Sequence, residues 1–289
     1  MEQLFTKIEN NYSHFSKGQK RIADYIVAHY DKAAFMTAAK LGQKTGVSES
    51  TVVRFASLLG YSKYAKLQKE LQNIVRTKLT AAQRMAVTND RLDGKDIISN
   101  TLERDIEMIK ATMETVSHED FENAVKAIQQ AKRIYIIGVR SAASLASFLA
   151  FYFNMVFDDV KLVSPSGSSE ILESIYHIGK EDVCIAISFP RYSNRTVSAV
   201  RFIANRGAKI ISITDNEMAP SAKYADYTLL ARSDMASFGD SLVAPLSLIN
   251  ALIVASTYKM NESAQQNFKE LEQMWKEFKV YDGDEKSHG

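Results

Sequence analysis

The sequence predicts two domains of different class: an all-α domain over residues 1–76 and an α/β domain built on a parallel sheet over 119–258. Three observations predict this. Residues 35–61 read as two short helices set off by hydroxyl caps and glycines. From about residue 119, short β-branched apolar runs alternate with helical stretches, the pattern of a parallel sheet covered on both faces. Finally, residues 1–80 hold 13 Lys plus Arg against 6 Asp plus Glu, a local net of +7, whereas the remainder is −5. A basic module on an acidic body suggests that only the first meets a polyanion.

Taken in order, Ser16 and Gln19 form a capping box that opens a helix with Ile22, Ile26 and Tyr30 on one face. Thr37 caps a helix over 38–45, and Gly46 follows where a positive φ is needed. Ser48 caps a second helix over 49–59, ended by Gly60. Leu41, Val47, Val52, Phe55 and Leu58 are the expected buried set, with Gly42 at the helix crossing. This spacing is that of a helix-turn-helix. The second helix leaves Glu49, Ser50, Thr51 and Arg54 on its outer, N-terminal side. There, beside the capping Ser48, short hydroxyls allow close approach to a major-groove edge and Arg54 can fork onto a guanine or a phosphate. Ser62 is expected to start a further helix with Leu67, Leu71, Ile74 and Val75 as its apolar stripe. Lys17, Lys20, Lys63 and Lys66 sit near helix starts, within reach of flanking phosphates. The competing reading is a helical hairpin that only packs, with Ser and Thr as caps and each lysine a solvated surface charge.

A linker is expected at the polar stretch 77–95, followed by a helix from about Asp96 to Thr115, so that 77–118 connects the domains. Helices are then predicted at 119–130, 141–157, 169–178, 193–206, 217–224 and 240–258. Strands are predicted at 133–138, 160–163, 182–188, 208–214 and 226–231. Helix 141–157 is apolar nearly all round and must be buried, in the core or against another subunit. Residues 259–289 read as one more amphipathic helix and a tail. Ligands of an open parallel sheet bind at the carboxyl ends of its strands. Those ends carry Gly138, Arg140, Ser141 and Ser144; Ser164 to Ser169; Ser188, Arg191 and Ser193; and Thr214 with Asp215. Hydroxyls, helix N-termini and arginine together suit an anion on a hydroxylated body, such as a sugar phosphate. Taken singly, each serine is also explained as an N-cap, and each arginine as a partner for Glu170 or Asp215.

Composition excludes other classes. Apolar content of 46% with 24% charged indicates neither disorder nor a membrane protein. The longest apolar stretch, Ser147 to Phe157, is far short of the about 20 residues that span a bilayer. The polar start MEQLFTKIENN is not a signal peptide. The lone Cys184 precludes a disulfide within the chain and a cysteine-based metal site, and a reducing cytoplasm is the simplest setting. No nucleophile elbow, Walker loop or zinc motif is present, so no cofactor, metal or catalytic residue is expected.

FMTAAKLGQKTGVSESTVVRFASLLGY followed by YAKLQKEL resembles the N-terminal domain of RpiR-type (MurR/RpiR) transcriptional regulators. Residues 119–258 resemble a SIS domain, the sugar-isomerase-type module paired with it in that family. The resemblance implies an all-α helix-turn-helix domain followed by an α/β SIS domain with a five-stranded parallel sheet flanked by helices. It further implies a cytoplasmic homodimer or homotetramer that binds double-stranded operator DNA, as repressor or activator, under control of a sugar-phosphate effector. The ligand loops depart from the usual pattern. Where G-x-G-x-S is common, Arg140 stands at the second glycine and Ala142 at the serine, with Ser141 and Ser144 nearby. Where S-x-S-G-x-T is common, Ser188 and Ser193 match the ends while Pro190 and Arg191 replace the central Ser-Gly. Two alternatives stay open. One is a sugar-phosphate isomerase, with Glu170 and His177 the only candidate bases near the strand ends. The other is a DNA-binding protein whose SIS domain only oligomerises.

Overall fold

A computed structural model describes residues 3–92, 94, 96–163, 168–258 and 262–281, and divides the chain into two compact units. The first comprises residues 1–101 with 234–240, the second 102–233 with 241–289.

The first unit contains α1 (Gln3–Asn11), α2 (Lys17–Ala28), α3 (Tyr30–Ala33), α4 (Ala38–Thr45), α5 (Glu49–Leu58), α6 (Tyr64–Lys78) and α7 (Ala81–Leu92). The Ser16–Gln19 capping box forms in both directions, and Thr37 and Ser48 cap α4 and α5 through the backbone N–H groups of Lys40 and Thr51. Gly46 (φ 65°) and Gly60 (φ 88°) adopt the left-handed backbone that the helix ends require. A Cβ on Gly42 would stand 2.8 Å from the Val47 carbonyl oxygen, so the turn between α4 and α5 closes only over glycine. Leu41, Val52 and Phe55 are buried and Val47 is half-buried, but Leu58 is 45% exposed and Leu59 takes its place in the core. The stripe is therefore Val52, Phe55, Ala56 and Leu59, spaced three, four and seven residues from its start. Leu58 falls off that face. The last core helix begins at Tyr64 with Lys63 in the cap position, two residues later than Ser62 suggested. Leu67, Leu71, Ile74 and Val75 are buried as expected. Tyr64 Oη and Gln68 Nε2 both donate to the Met36 carbonyl, at 2.8 and 2.9 Å, and tie α6 to the entry of α4.

The polar stretch 77–95 contains a formed helix, α7, that buries Arg84 and Thr88. Arg84 pairs with Asp240 at 2.9 Å and donates to the Phe238 carbonyl; two turns on, Arg91 donates to the Met235 and Ala236 carbonyls. Guanidinium groups satisfying an otherwise irregular loop explain why a segment so polar in sequence folds.

Helix α8 (Ile97–Thr115) spans the division between the units. The second unit continues with α9 (His118–Gln130), β1 (Ile134–Gly138), α10 (Ala142–Phe153), β2 (Val160–Val163), α11 (Ser168–Ser174), β3 (Val183–Ile187), α12 (Asn194–Arg206), β4 (Lys209–Thr214), β5 (Tyr227–Leu230), α13 (Val243–Thr257) and α14 (Glu262–Glu277). All five strands are parallel, in the order β2-β1-β3-β4-β5. Ile134, Ile136, Ile185, Ile187, Ile211 and Ile213 face α9, α10 and α13, while Tyr135, Ile137, Cys184 and Ile210 face α11 and α12. This alternation makes a three-layer α/β/α sandwich. Cys184 is fully buried, and loss of water pushes its thiol up to about 12. Segment 217–224, expected as a helix, is a run of turns with a 3₁₀ turn at Ala222–Tyr224. Asn216 Oδ1 accepts from the Met218 N–H in an Asx turn, and Pro220 lacks the N–H a helix needs. Helix α10 buries Leu145, Ala146, Leu149, Ala150 and Phe153 but leaves Phe151 and Tyr152 exposed, so only one side of it is in the core.

Candidate functional site

In the first unit, the outer side of α5 carries Ser48, Glu49, Ser50 and Arg54 in solvent, with Thr51 half-buried. Ser48 Oγ lies 2.9 Å from Ser50 Oγ and 2.8 Å from Thr51 Oγ1, a chain of hydroxyls across the helix start. Arg54 lies back along its own helix, donating from Nε to the Ser50 carbonyl at 3.3 Å and from Nη2 to Ser50 Oγ at 3.4 Å. The start of α2 packs beside it: a Cβ on Gly18 would come within 3.2 Å of Val47 Cγ1 and 3.8 Å of Thr51 Cγ2, which brings exposed Lys17 alongside. Lys20 is half-buried, its Nζ 5.2 Å from the Tyr12 ring centre. Lys63 is exposed but follows the opposite end of α5 from Ser48, about 15 Å away along the helix. Sequence reasoning missed Arg21, whose Nη2 donates to the Gly46 carbonyl at 2.9 Å and holds the turn between α4 and α5.

In the second unit, the order β2-β1-β3-β4-β5 places the topological switch between β1 and β3. The chain leaves β1 for α10 on one face of the sheet and β3 for α12 on the other, so a crevice opens between their carboxyl ends. Arg140 stands two residues past β1 and Arg191 four past β3; Gly138 and Ile187 are register partners. Both arginines adopt the left-handed backbone, with φ 61° and 64°, and the other described non-glycine residue to do so is Lys279. The conformation costs a residue with a Cβ about 1–2 kcal/mol. The loops thus keep the backbone shape that glycine serves while carrying a guanidinium. Both side chains are exposed, and neither makes a hydrogen bond or ion pair among the described residues. Asp215 is engaged elsewhere, accepting from Tyr192 Oη at 2.6 Å and from Asn216 Nδ2 at 3.0 Å. The expectation that the arginines pair with Glu170 or Asp215 is not met.

The remaining candidates divide by exposure. Ser141 and Ser144 are exposed at the start of α10, and Ser141 makes no side-chain cap bond. Ser193 is half-buried and caps α12, accepting from the Arg195 N–H. Ser188 is only 4% exposed, and its hydroxyl has no partner among the described residues. Thr214 is fully buried, with its Oγ1 3.5 Å from Asp215 Oδ1. At Gly138 an added Cβ would collide with the Ala142 carbonyl oxygen and stand 2.8 Å from Ala146 Cβ, so this glycine is explained by the tight strand–helix turn. Residues 164–167 lie outside the described residues, as do the side chains of Ser168 and Ser169. The two candidate bases do not converge. Glu170 opens α11, whereas the His177 carbonyl accepts from Arg133 at 2.8 Å, and Arg133 pairs with Asp182; both of these precede strands. His177 therefore lies at the amino edge of the sheet, opposite the crevice.

Residues 2–78 match the helix-turn-helix domain of the rpiR family, and residues 127–255 match the SIS domain. An uncharacterised HTH-type transcriptional regulator of Haemophilus influenzae is 25% identical over 87% of this chain and 90% of its own length. The sugar isomerase domain of an RpiR transcription factor from Sphaerobacter thermophilus is 26% identical and superposes with a TM-score of 0.57, over 61% of this chain and 97% of that one. The Vibrio vulnificus NanR protein, solved in complex with ManNAc-6P, shares the fold with a TM-score of 0.59 at 20% identity, over 95% of this chain and 98% of that one. The chain thus carries a helix-turn-helix domain of the rpiR family at its N-terminus and a SIS domain following it.

Proposed function

We propose that the protein is a bacterial DNA-binding transcriptional regulator whose operator affinity is set by a sugar phosphate held in the switch-point crevice of the SIS domain. The observation that carries the reading is the exposed N-terminal half of α5, with Glu49, Ser50 and Arg54 in solvent on a unit of net positive charge. Lys17 flanks it, and Lys20 and Lys63 are its further phosphate contacts. Ser141, Ser144, Arg140, Arg191, Ser188 and Ser193 form the effector site, and the fold shared with NanR is one that holds ManNAc-6P in that protein. The chain works as a homo-oligomer in the cytoplasm, without catalysis, since Glu170 and His177 stand on opposite edges of the sheet. An oligomer presents two recognition helices at a spacing that matches two half-sites in one arrangement and not in another. An effector shifts the balance only by binding the two arrangements with different affinity.

Arg54→Ala is expected to weaken operator binding by about 1–3 kcal/mol while leaving the melting temperature within a degree or two of wild type. Titration of labelled operator DNA, with a melt of the same preparations, checks both. Unchanged operator affinity would remove Arg54 from the recognition face.

A further inference from the structure

Resting on the sugar-phosphate reading above, we infer that the effector is a sugar carrying two separate anionic groups, a phosphate plus either a carboxylate or a second phosphate. The argument begins with where the two cations stand. Arg140 and Arg191 belong to loops that leave adjacent strands for opposite faces of the sheet, so they flank the crevice from its two sides. The strands that carry them are about 4.8 Å apart, the usual neighbour spacing, and the loops diverge from there. A guanidinium matches a carboxylate or phosphate through two parallel hydrogen bonds, and its charge is permanent at any physiological pH.

Neither guanidinium is engaged by another described residue. Among the described residues each lacks an acidic partner and a hydrogen-bond acceptor, although Asp215 follows β4 on the same sheet edge. Asp215 is instead held by Tyr192 and Asn216. In the same loop as Arg191, directly after β3, the Ser188 hydroxyl has no hydrogen-bond partner among the described residues and so is open to a ligand. The crevice thus offers a cation from each of its two loops and a hydroxyl beside one of them, which suits a hydroxylated body with two anionic groups.

The test is calorimetric titration of the full-length protein with matched probes: glucose 6-phosphate against 6-phosphogluconate, and fructose 6-phosphate against fructose 1,6-bisphosphate. In at least one pair the probe with two anionic groups is expected to bind about ten- to a hundredfold more tightly, the worth of one additional charge-assisted contact. Which pair shows the preference separates the carboxylate from the second phosphate. Of Arg140→Ala and Arg191→Ala, the one that removes the arginine facing the second anion should abolish it, and the other should weaken binding of both members of the pair. One of the two variants should retain the wild-type affinity for the monophosphate, because only the other arginine holds that group. Equal affinity within both pairs would overturn the inference while leaving a sugar-phosphate site in place. So would an equal loss of monophosphate binding in both variants, since the two arginines would then clamp a single phosphate. Absence of binding by all four probes would overturn the sugar-phosphate reading and this inference together.

Discussion

At Arg140 and Arg191 the backbone and the side chain make opposite demands. The left-handed φ of 61° and 64° is one that glycine adopts freely, and neither guanidinium makes a hydrogen bond or ion pair among the described residues. Strain of this kind persists where the surrounding structure enforces it, and it gathers at sites of function. Arg191→Gly should therefore unfold at a higher denaturant concentration than Arg191→Ala, by about 1 kcal/mol, because both lose the guanidinium and only glycine relieves the backbone. Chemical denaturation of the two variants, compared at equal slope, measures this difference. The sequence marks these two positions as departures from a glycine pattern, and that much is legible from the letters. That the left-handed backbone survives the replacement is a property of the folded loops, which no residue count reveals.

Among the elements, the helix-turn-helix was the most legible. Its caps and its glycines are local features, set within four residues by hydrogen bonds and sterics, and Thr37, Gly46, Ser48 and Gly60 all stand where such rules put them. The identity of the last core residue was not local, because it depends on which face α5 turns toward α2 and α6. Leu59→Ala should cost about 2–5 kcal/mol of stability, and the neighbouring Leu58→Ala less than about 0.5 kcal/mol. Thermal or urea unfolding of the pair checks the assignment. Tyr64 supplies a second test at this scale. Burial pushes its phenol up to about 12, and its hydroxyl donates to the Met36 carbonyl. A tyrosine that ionises less readily folded than unfolded gives stability that is complete below pH 10 and is lost as pH rises toward 12. The melting temperature of the wild type should fall more steeply over that range than that of Tyr64→Phe.

For the whole molecule, charge and exposed apolar surface carry the argument. The first 80 residues are basic and the remainder acidic, which fits a polyanion-binding role confined to the first domain. Helix α10, apolar nearly all round, is expected from the sequence to be buried in the core or against another subunit. It leaves Phe151 59% and Tyr152 39% exposed, their rings 5.2 Å apart, with Phe148 edge-on to Tyr152 at 5.0 Å. An exposed aromatic cluster on a helix with almost no polar residues has the chemistry of a protein interface, and the proposed homo-oligomer would use it. Phe151→Glu should shift the sedimentation coefficient from that of a dimer or tetramer toward a monomer, with the α/β unit still folded by circular dichroism. A variant that sediments as wild type would assign the oligomer contact to another surface.

The sequence by itself determined the helical class of the first domain and the strand–helix alternation of the second, though not α7 or the turns at 217–224. Caps, turn glycines and the periods of apolar residues are short-range signals, and the two domains follow from a change of period near residue 119. It also marked most of the polar groups that gather at the strand ends. Only the tertiary structure decided which of them meet. The strand order places the switch between β1 and β3, setting Arg140 and Arg191 on either side of one crevice and sending His177 to the far edge. It also turned the polar stretch after α6 into a helix, because Arg84 and Asp240, 156 residues apart, satisfy one another inside the first unit. Contacts at that separation arise from topology, and a one-dimensional pattern holds no record of them.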